Sequence, residues 1–230
     1  MSPMPDATGL GLALAALAPD LGEIIALSML VSGVAVVLAM AIGVPLGVWL
    51  GLHRFPGRRL LVTVVNTGMG LPPVVVGLFV FLLLARSGPL GGLELLYTPA
   101  AMIAAQTAIA VPLVVGVTLA AIQALDERLH VLLLSLGASR LQVYLKLLAE
   151  ARLSLAAALA AAFGAVISEV GAVMMVGGNI RGQTRVMTTA IVLETRQGNF
   201  ALAVALSVIL LVIALAVNWL FTVVQQRARP

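Results

Sequence analysis

Five long apolar runs, separated by shorter polar or charged segments, set the pattern of this chain. They cover roughly residues 26–52, 60–85, 100–124, 153–176 and 201–224. Each is long enough for a helix to cross a hydrocarbon core, which takes about 20 residues, and none alternates as a membrane strand would. The pattern therefore predicts an all-α, polytopic membrane protein of about five transmembrane helices. Gly43, Pro45 and Gly47 in the first run would let a neighbouring helix approach closely. Pro72-Pro73 in the middle of the second removes two backbone donors and predicts a break or bend there. Irregular backbone at that depth is tolerated only where protein or a water-filled path covers it. Pro112 sits centrally in the third run.

The linking segments differ in kind. Residues 53–59 (HRFPGRR) form a tight basic loop, and residues 88–99 (GPLGGLELLYTP) a turn-rich one. Residues 126–152 (DERLHVLLLSLGASRLQVYLKLLAEAR) carry charge and helix formers together, so they lie outside the bilayer. They read as two short helices hinged on Gly137, the second opened by Ser139. Leu141, Tyr144, Leu145 and Leu148 recur at helical spacing as one apolar face, with Arg140 and Lys146 solvated. Spanning a membrane requires no such segment; it suits a handle gripped by another protein. Residues 177–200 are polar-flanked, and 187–194 within them predict a short re-entrant or surface helix. At the ends, residues 1–25 read as a lead-in segment on the outer side, and 225–230 as a basic tail.

Composition agrees: 62% of residues are hydrophobic and 10% charged, with a mean hydropathy of +1.16, which excludes a soluble domain. Cysteine is absent and there are two histidines, His53 and His130. Disulfides are therefore excluded, and no zinc, iron–sulfur or haem-thiolate site is expected. The net charge of +4 is distributed by loop and reads as topology signal, not as a nucleic-acid surface. Arg54, Arg58, Arg59, Arg128, Arg140, Lys146, Arg152, Arg227 and Arg229 fall on one side, against Arg86, Arg181, Arg185 and Arg196 on the other. An excess of Lys and Arg marks the cytoplasmic side, so the N-terminus is expected outside, the C-terminus inside and the handle in the cytoplasm.

Candidate chemistry is sparse. Residues 177–184 (GGNIRGQT) nearly spell a phosphate loop, but Gln183 stands where the lysine belongs and a helix precedes it, so a hinge loop is the better reading. Glu169 is an acid inside an apolar run, roughly 25 Å along a helix from Arg152. Intramembrane acids are functional candidates; the plainer reading is a cap, or a pair with Arg181 or Arg185. Asn66, Thr67, Gln106 and Thr107 are uncharged polar groups that more often join helices than bind substrate. No nucleophile, base and oxyanion set is present, so the chain is not expected to be an enzyme.

Around Gly137, the sequence LLLSLGASRLQVYLKL resembles the cytoplasmic loop of ABC importer permeases, whose pattern is E-A-A-x3-G-x9-I-x-L-P. Gly137 matches its glycine. Val131, Leu132 and Leu133 replace E-A-A, and Leu147, Leu148, Ala149 and Glu150 replace I-x-L-P. GLPPVVVGL (70–78) and SEVGAVMMVGGNIRGQTRVMTTAIVLETRQGNF (168–200) are similar to tungstate-type permease subunits. Molybdate permeases share the first element and carry a shorter second one. The resemblance covers about residues 25–224.

It implies a type I ABC importer permease (MetI-like) fold in a prokaryotic inner membrane, working as a homodimer. Two copies of a separate ATPase, which would bind the ATP and Mg, would dock on the handles. A binding protein outside would deliver the oxyanion, with no cofactor in this chain. Leu136, Gly137, Ala138, Ser139, Arg140, Leu141, Val143 and Tyr144 would couple to the ATPase. Pro72, Pro73, Asn66, Gln106 and Glu169 are the gate or pathway candidates. A molybdate or sulfate permease is the near alternative. A stand-alone secondary transporter is the distant one, and it fits poorly with five spans and no charge at mid-depth.

Overall fold

The computed structural model describes residues 7–227; residues 1–6 and 228–230, and with them parts of the lead-in and tail, lie outside the described residues. The fold is all-α, with no strand among the described residues. Among the described residues, three helices are long and apolar enough to cross a membrane, over Asp20–Leu52, Pro99–Gln123 and Phe200–Val223, and up to five spans result if each of two bent helix pairs counts as one.

Helix α1 runs Ala7–Leu52. Its 46 residues amount to about 69 Å, more than twice a hydrocarbon core of about 30 Å. The lead-in and the first apolar run are thus one backbone helix, continuous through Pro19. α1 packs along α4 (Pro99–Gln123) through a glycine stripe. A Cβ at Gly43 would stand 2.8 Å from Val114 Cγ1, one at Gly47 2.6 Å from Thr118 Cβ, and one at Gly51 2.7 Å from Ile122 Cγ2. Glycines four residues apart lie on one helix face and bring the two backbones together. Pro112 is accommodated inside α4 without ending it.

The second run is broken as its prolines predict. α2 (Arg58–Met69) and α3 (Pro73–Leu84) meet at 105°. Pro73 is the first residue of α3, where a missing N–H costs no hydrogen bond.

The expected single helix over 153–176 needs correction. α7 (Arg152–Ile167) stops, and α8 (Gly171–Gly177) starts afresh. No proline causes this. Ser168 Oγ donates to Gly164 O at 2.8 Å, and Glu169 Oε1 accepts from Ala172 N at 2.9 Å, so side chains serve the backbone groups on both sides of the break.

The handle consists of α5 (Glu127–Ser135) and α6 (Arg140–Glu150), with α6 bent 68° from α7 at Ala151. α9 (Met187–Arg196) precedes the last helix, α10 (Phe200–Arg227). α9 is not a surface helix: Met187, Thr188, Thr189, Ala190 and Glu194 are buried, with Met187 and Ala190 packed on Ile24 of α1 and Leu202 and Leu206 of α10. Ser28 Oγ donates to Ile24 O and accepts from Met187 N at 2.9 Å, tying the start of α9 to α1.

Candidate functional site

Two features stand out: the handle, and a crossing of broken helices above it. In the handle, α5 ends on a glycine because the chain must reverse there. Gly137 has φ +80°, a conformation that costs a residue with a Cβ roughly 1–2 kcal/mol. Gly137 N donates to Leu134 O at 3.0 Å and Ala138 N to Leu133 O at 3.1 Å, the paired bonds of a Schellman termination. Ser139 then caps α6 reciprocally. Its Oγ accepts from Gln142 N at 3.4 Å, and its N donates to Gln142 Oε1 at 2.7 Å, a capping box.

The handle is keyed into the bundle by a different set of residues from the one the sequence suggests. Val143 and Leu147 are buried, with Ala151, against Val48 of α1 and Ala121 and Ile122 of α4; Ala138, Tyr144 and Leu148 pack at the edge of this cluster. Burial pushes the Tyr144 hydroxyl above its ordinary range. Leu141 and Leu145 belong to a second, outward face, at 66% and 56% exposed, and Leu136 beside them is 74% exposed. The single apolar face read from residues 141, 144, 145 and 148 is therefore split. Val143 and Leu147 fill the notch between α1 and α4, which leaves Leu141 and Leu145 pointing away. Arg140 and Lys146 are exposed beside them.

The crossing brings α3 against α8. A Cβ at Gly77 would stand 2.5 Å from Ala172 Cα, and one at Gly171 2.5 Å from Val74 Cγ2. The backbones of two short helices, each following a break, are in direct contact. Glu169 closes this arrangement as a buried cap on α8, and its carbonyl accepts from Thr188 Oγ1 at 3.0 Å. It makes no ion pair with Arg181 or Arg185; Arg181 Nη2 instead lies 2.6 Å from Asp20 Oδ2. Gln106, buried on α4, donates from Nε2 to Val166 O at 2.8 Å, next to the last residue of α7. Thr107 Oγ1 reaches Ala35 O of α1 at 3.5 Å. Both therefore join helices.

Among the remaining pathway candidates, Pro72 and Asn66 are exposed and Pro73 is half-buried. The structure separates these three from Gln106 and Glu169, which are enclosed. The α3–α8 crossing was missed by sequence reasoning, although Gly77 and Gly171 are the small residues that signal it. In the loop over residues 178–186, Thr184 Oγ1 donates to Gly177 O and accepts from Ile180 N, and three successive N–H groups from Gln183 to Arg185 converge on Ile180 O. These amides serve the loop itself rather than a phosphate.

The family model for the binding-protein-dependent transport system inner membrane component matches residues 43–230. The chain belongs to this family. Among relatives of this inner membrane component, a probable anion ABC transporter permease protein from Haloferax volcanii is 45% identical over 85% of this chain and 87% of its own length. The tungstate uptake system permease protein TupB of Peptoclostridium acidaminophilum is 42% identical over 87% and 88%. The fold recurs in the crystal structure of a bacterial ABC transporter involved in import of the acidic polysaccharide alginate, with a TM-score of 0.79 at 18% identity, covering 100% of this chain and 86% of that one. The all-α permease fold and the resemblance to tungstate-type permeases are thereby confirmed.

Proposed function

We propose that this permease is the membrane-spanning subunit of an ATP-driven importer for a tetrahedral oxyanion, tungstate first. The observation that carries the reading is its likeness, over most of both chains, to a protein named as a tungstate uptake permease. In this reading the chain works as a homodimer, N-terminus outside and C-terminus in the cytoplasm. It receives the anion from an external binding protein and chemical energy from two ATPase subunits, which hold the ATP and Mg. The chain itself catalyses nothing.

The mechanical side follows from the handle. An ATPase groove would take the outward face of Leu136, Leu141 and Leu145, flanked by Arg140 and Lys146. Closure of the ATPases drives the two α6 helices together. Because Val143 and Leu147 are locked between α1 and α4, and α6 continues into α7 through one bend at Ala151, the displacement passes to the break at 168–170 and to the α3–α8 crossing behind it.

The test is uptake in cells lacking their own oxyanion transporters, supplied with this chain, its ATPase and its binding protein. Tungstate and molybdate are offered separately, with Gly137→Asp as the control. Tungstate accumulation abolished by Gly137→Asp, at normal membrane levels of the variant, supports substrate and coupling together. Preference for molybdate keeps the mechanism and overturns the substrate. Uptake that persists without the ATPase overturns the whole reading.

A further inference from the structure

α2 is the spanning segment that the bundle covers least. It has no buried residue, although it lies lengthwise on α4. Val62 and Val65 pack against the cluster of Leu50, Val115 and Leu119, and Gly68 is close against Pro112. Pro112 stands midway along α4, so Asn66, half a turn before Gly68, sits near half the depth of the span.

At 100° per residue, Arg59, Thr63 and Asn66 fall on one line along α2, which ends at Gly70 and the Pro72–Pro73 break. All three are exposed, and they point away from the face that meets α4. Thr63 Oγ1 donates to Arg59 O at 2.9 Å, which leaves its lone pairs outward. Asn66 makes no side-chain hydrogen bond to another described residue. An amide left bare in hydrocarbon costs several kcal/mol, so this line faces either water or a polar partner. No acid lies on it, its cytoplasmic end is a guanidinium, and its upper end is an amide with two N–H donors. The line is a narrow strip: Leu60, Leu61, Val64 and Met69 elsewhere on α2 are exposed and apolar, and above the break so are Val74, Val75, Leu78, Phe79, Leu82 and Leu83 on α3.

We propose that the line Arg59–Thr63–Asn66 forms the wetted wall of the cytoplasmic half of the anion's route, with Asn66 as the uppermost donor to the oxyanion below the break. This deepens the proposed function and rests on it. Recognition here is weak by construction, since one neutral donor and one distant guanidinium can guide a dianion without retaining it.

The absence of cysteine from the chain makes the test direct. Single variants Thr63→Cys, Asn66→Cys and Val64→Cys are prepared in the full transporter, assembled with its ATPase in lipid nanodiscs. They are treated with a membrane-impermeant, anionic methanethiosulfonate, and modification of this chain is read by mass. Val64 is the internal reference, since it lies about 160° round the helix from Asn66 and is exposed to 59%. Thr63→Cys and Asn66→Cys are expected to react roughly tenfold faster than Val64→Cys, because a thiol ionises to the reactive thiolate only where water reaches it. Millimolar sodium tungstate is expected to slow the Asn66→Cys reaction and leave Val64→Cys unchanged. If the parent transporter imports oxyanion but Asn66→Cys reacts no faster than Val64→Cys, the amide is packed against a second copy or against lipid, and the inference falls alone. If the parent imports no oxyanion, the proposed function falls first.

Discussion

Gly77 and Ala172 bring two helices into backbone contact: any Cβ on Gly77 would sit 2.5 Å from the Ala172 Cα. The obstacle is a main-chain atom and not a side chain that can swing aside. Gly77→Ala is therefore expected to destabilise the fold by about 1–3 kcal/mol, the usual cost of overpacking. Trimming the neighbour in Gly77→Ala/Ala172→Gly should recover little of it. Thermal unfolding of the purified permease in nanodiscs checks both variants; a full rescue by Ala172→Gly would show that only the Ala172 methyl was in the way.

Glu169 is expected to act as an acceptor rather than as a charge. Glu169→Gln keeps an oxygen for Ala172 N and should leave uptake and melting near those of the parent. Glu169→Leu removes the cap and should lower stability by about 1 kcal/mol, as other lost caps do. Loss of uptake in Glu169→Gln with unchanged melting would mean that the negative charge itself is used.

At Gly137 nothing lies within 4 Å of a Cβ, so the cost of substitution is conformational only. Gly137→Ala should loosen the end of α5 by about 1–2 kcal/mol, and Gly137→Asn by less, since asparagine tolerates left-handed backbone. Hydrogen exchange at the amides of positions 137 and 138 reads the difference. Equal exchange in both variants would argue against the Schellman termination.

The ion pair between Asp20 and Arg181 should matter little, because Arg181 is 68% exposed. Asp20→Asn is expected to shift stability by under about 1 kcal/mol, with melting as the readout. A larger fall would place the pair in a network beyond these two residues.

How much of this was legible in the sequence depended on whether a break was written in backbone or in side-chain chemistry. Pro72–Pro73 announces itself because proline cannot donate, and Gly137 and Ser139 announce theirs because few residues reverse or cap a helix so well. The break at 168–170 has no such marker. Ser168 and Glu169 serve the backbone groups on either side of it, but residue type does not announce this, since Ser28 and Ser207 make the same bond to the carbonyl four residues before inside unbroken helices. The handle's inward face is not legible either: α6 has apolar residues on most sides, and only the notch between α1 and α4 decides that Val143 and Leu147 go in. Pro19-Asp20 looks like a boundary between the lead-in and the first span, yet the backbone helix continues through both.

The glycine stripe of α1 has a mechanical corollary. At Gly43, Gly47 and Gly51 α1 has no side chain to offer, so Val114, Thr118 and Ile122 of α4 seat directly on its backbone; only this one thin side-chain layer separates the two helices, and the pair is expected to move as a strut. Spin labels on the two helices should keep their separation through the ATPase cycle, while labels placed across Leu71 change theirs. Under the proposed function, a stiff strut with joints at 70–72, 151 and 168–170 would deliver a stroke instead of absorbing it, so that a push on α6 would reach the far side of the membrane at full length.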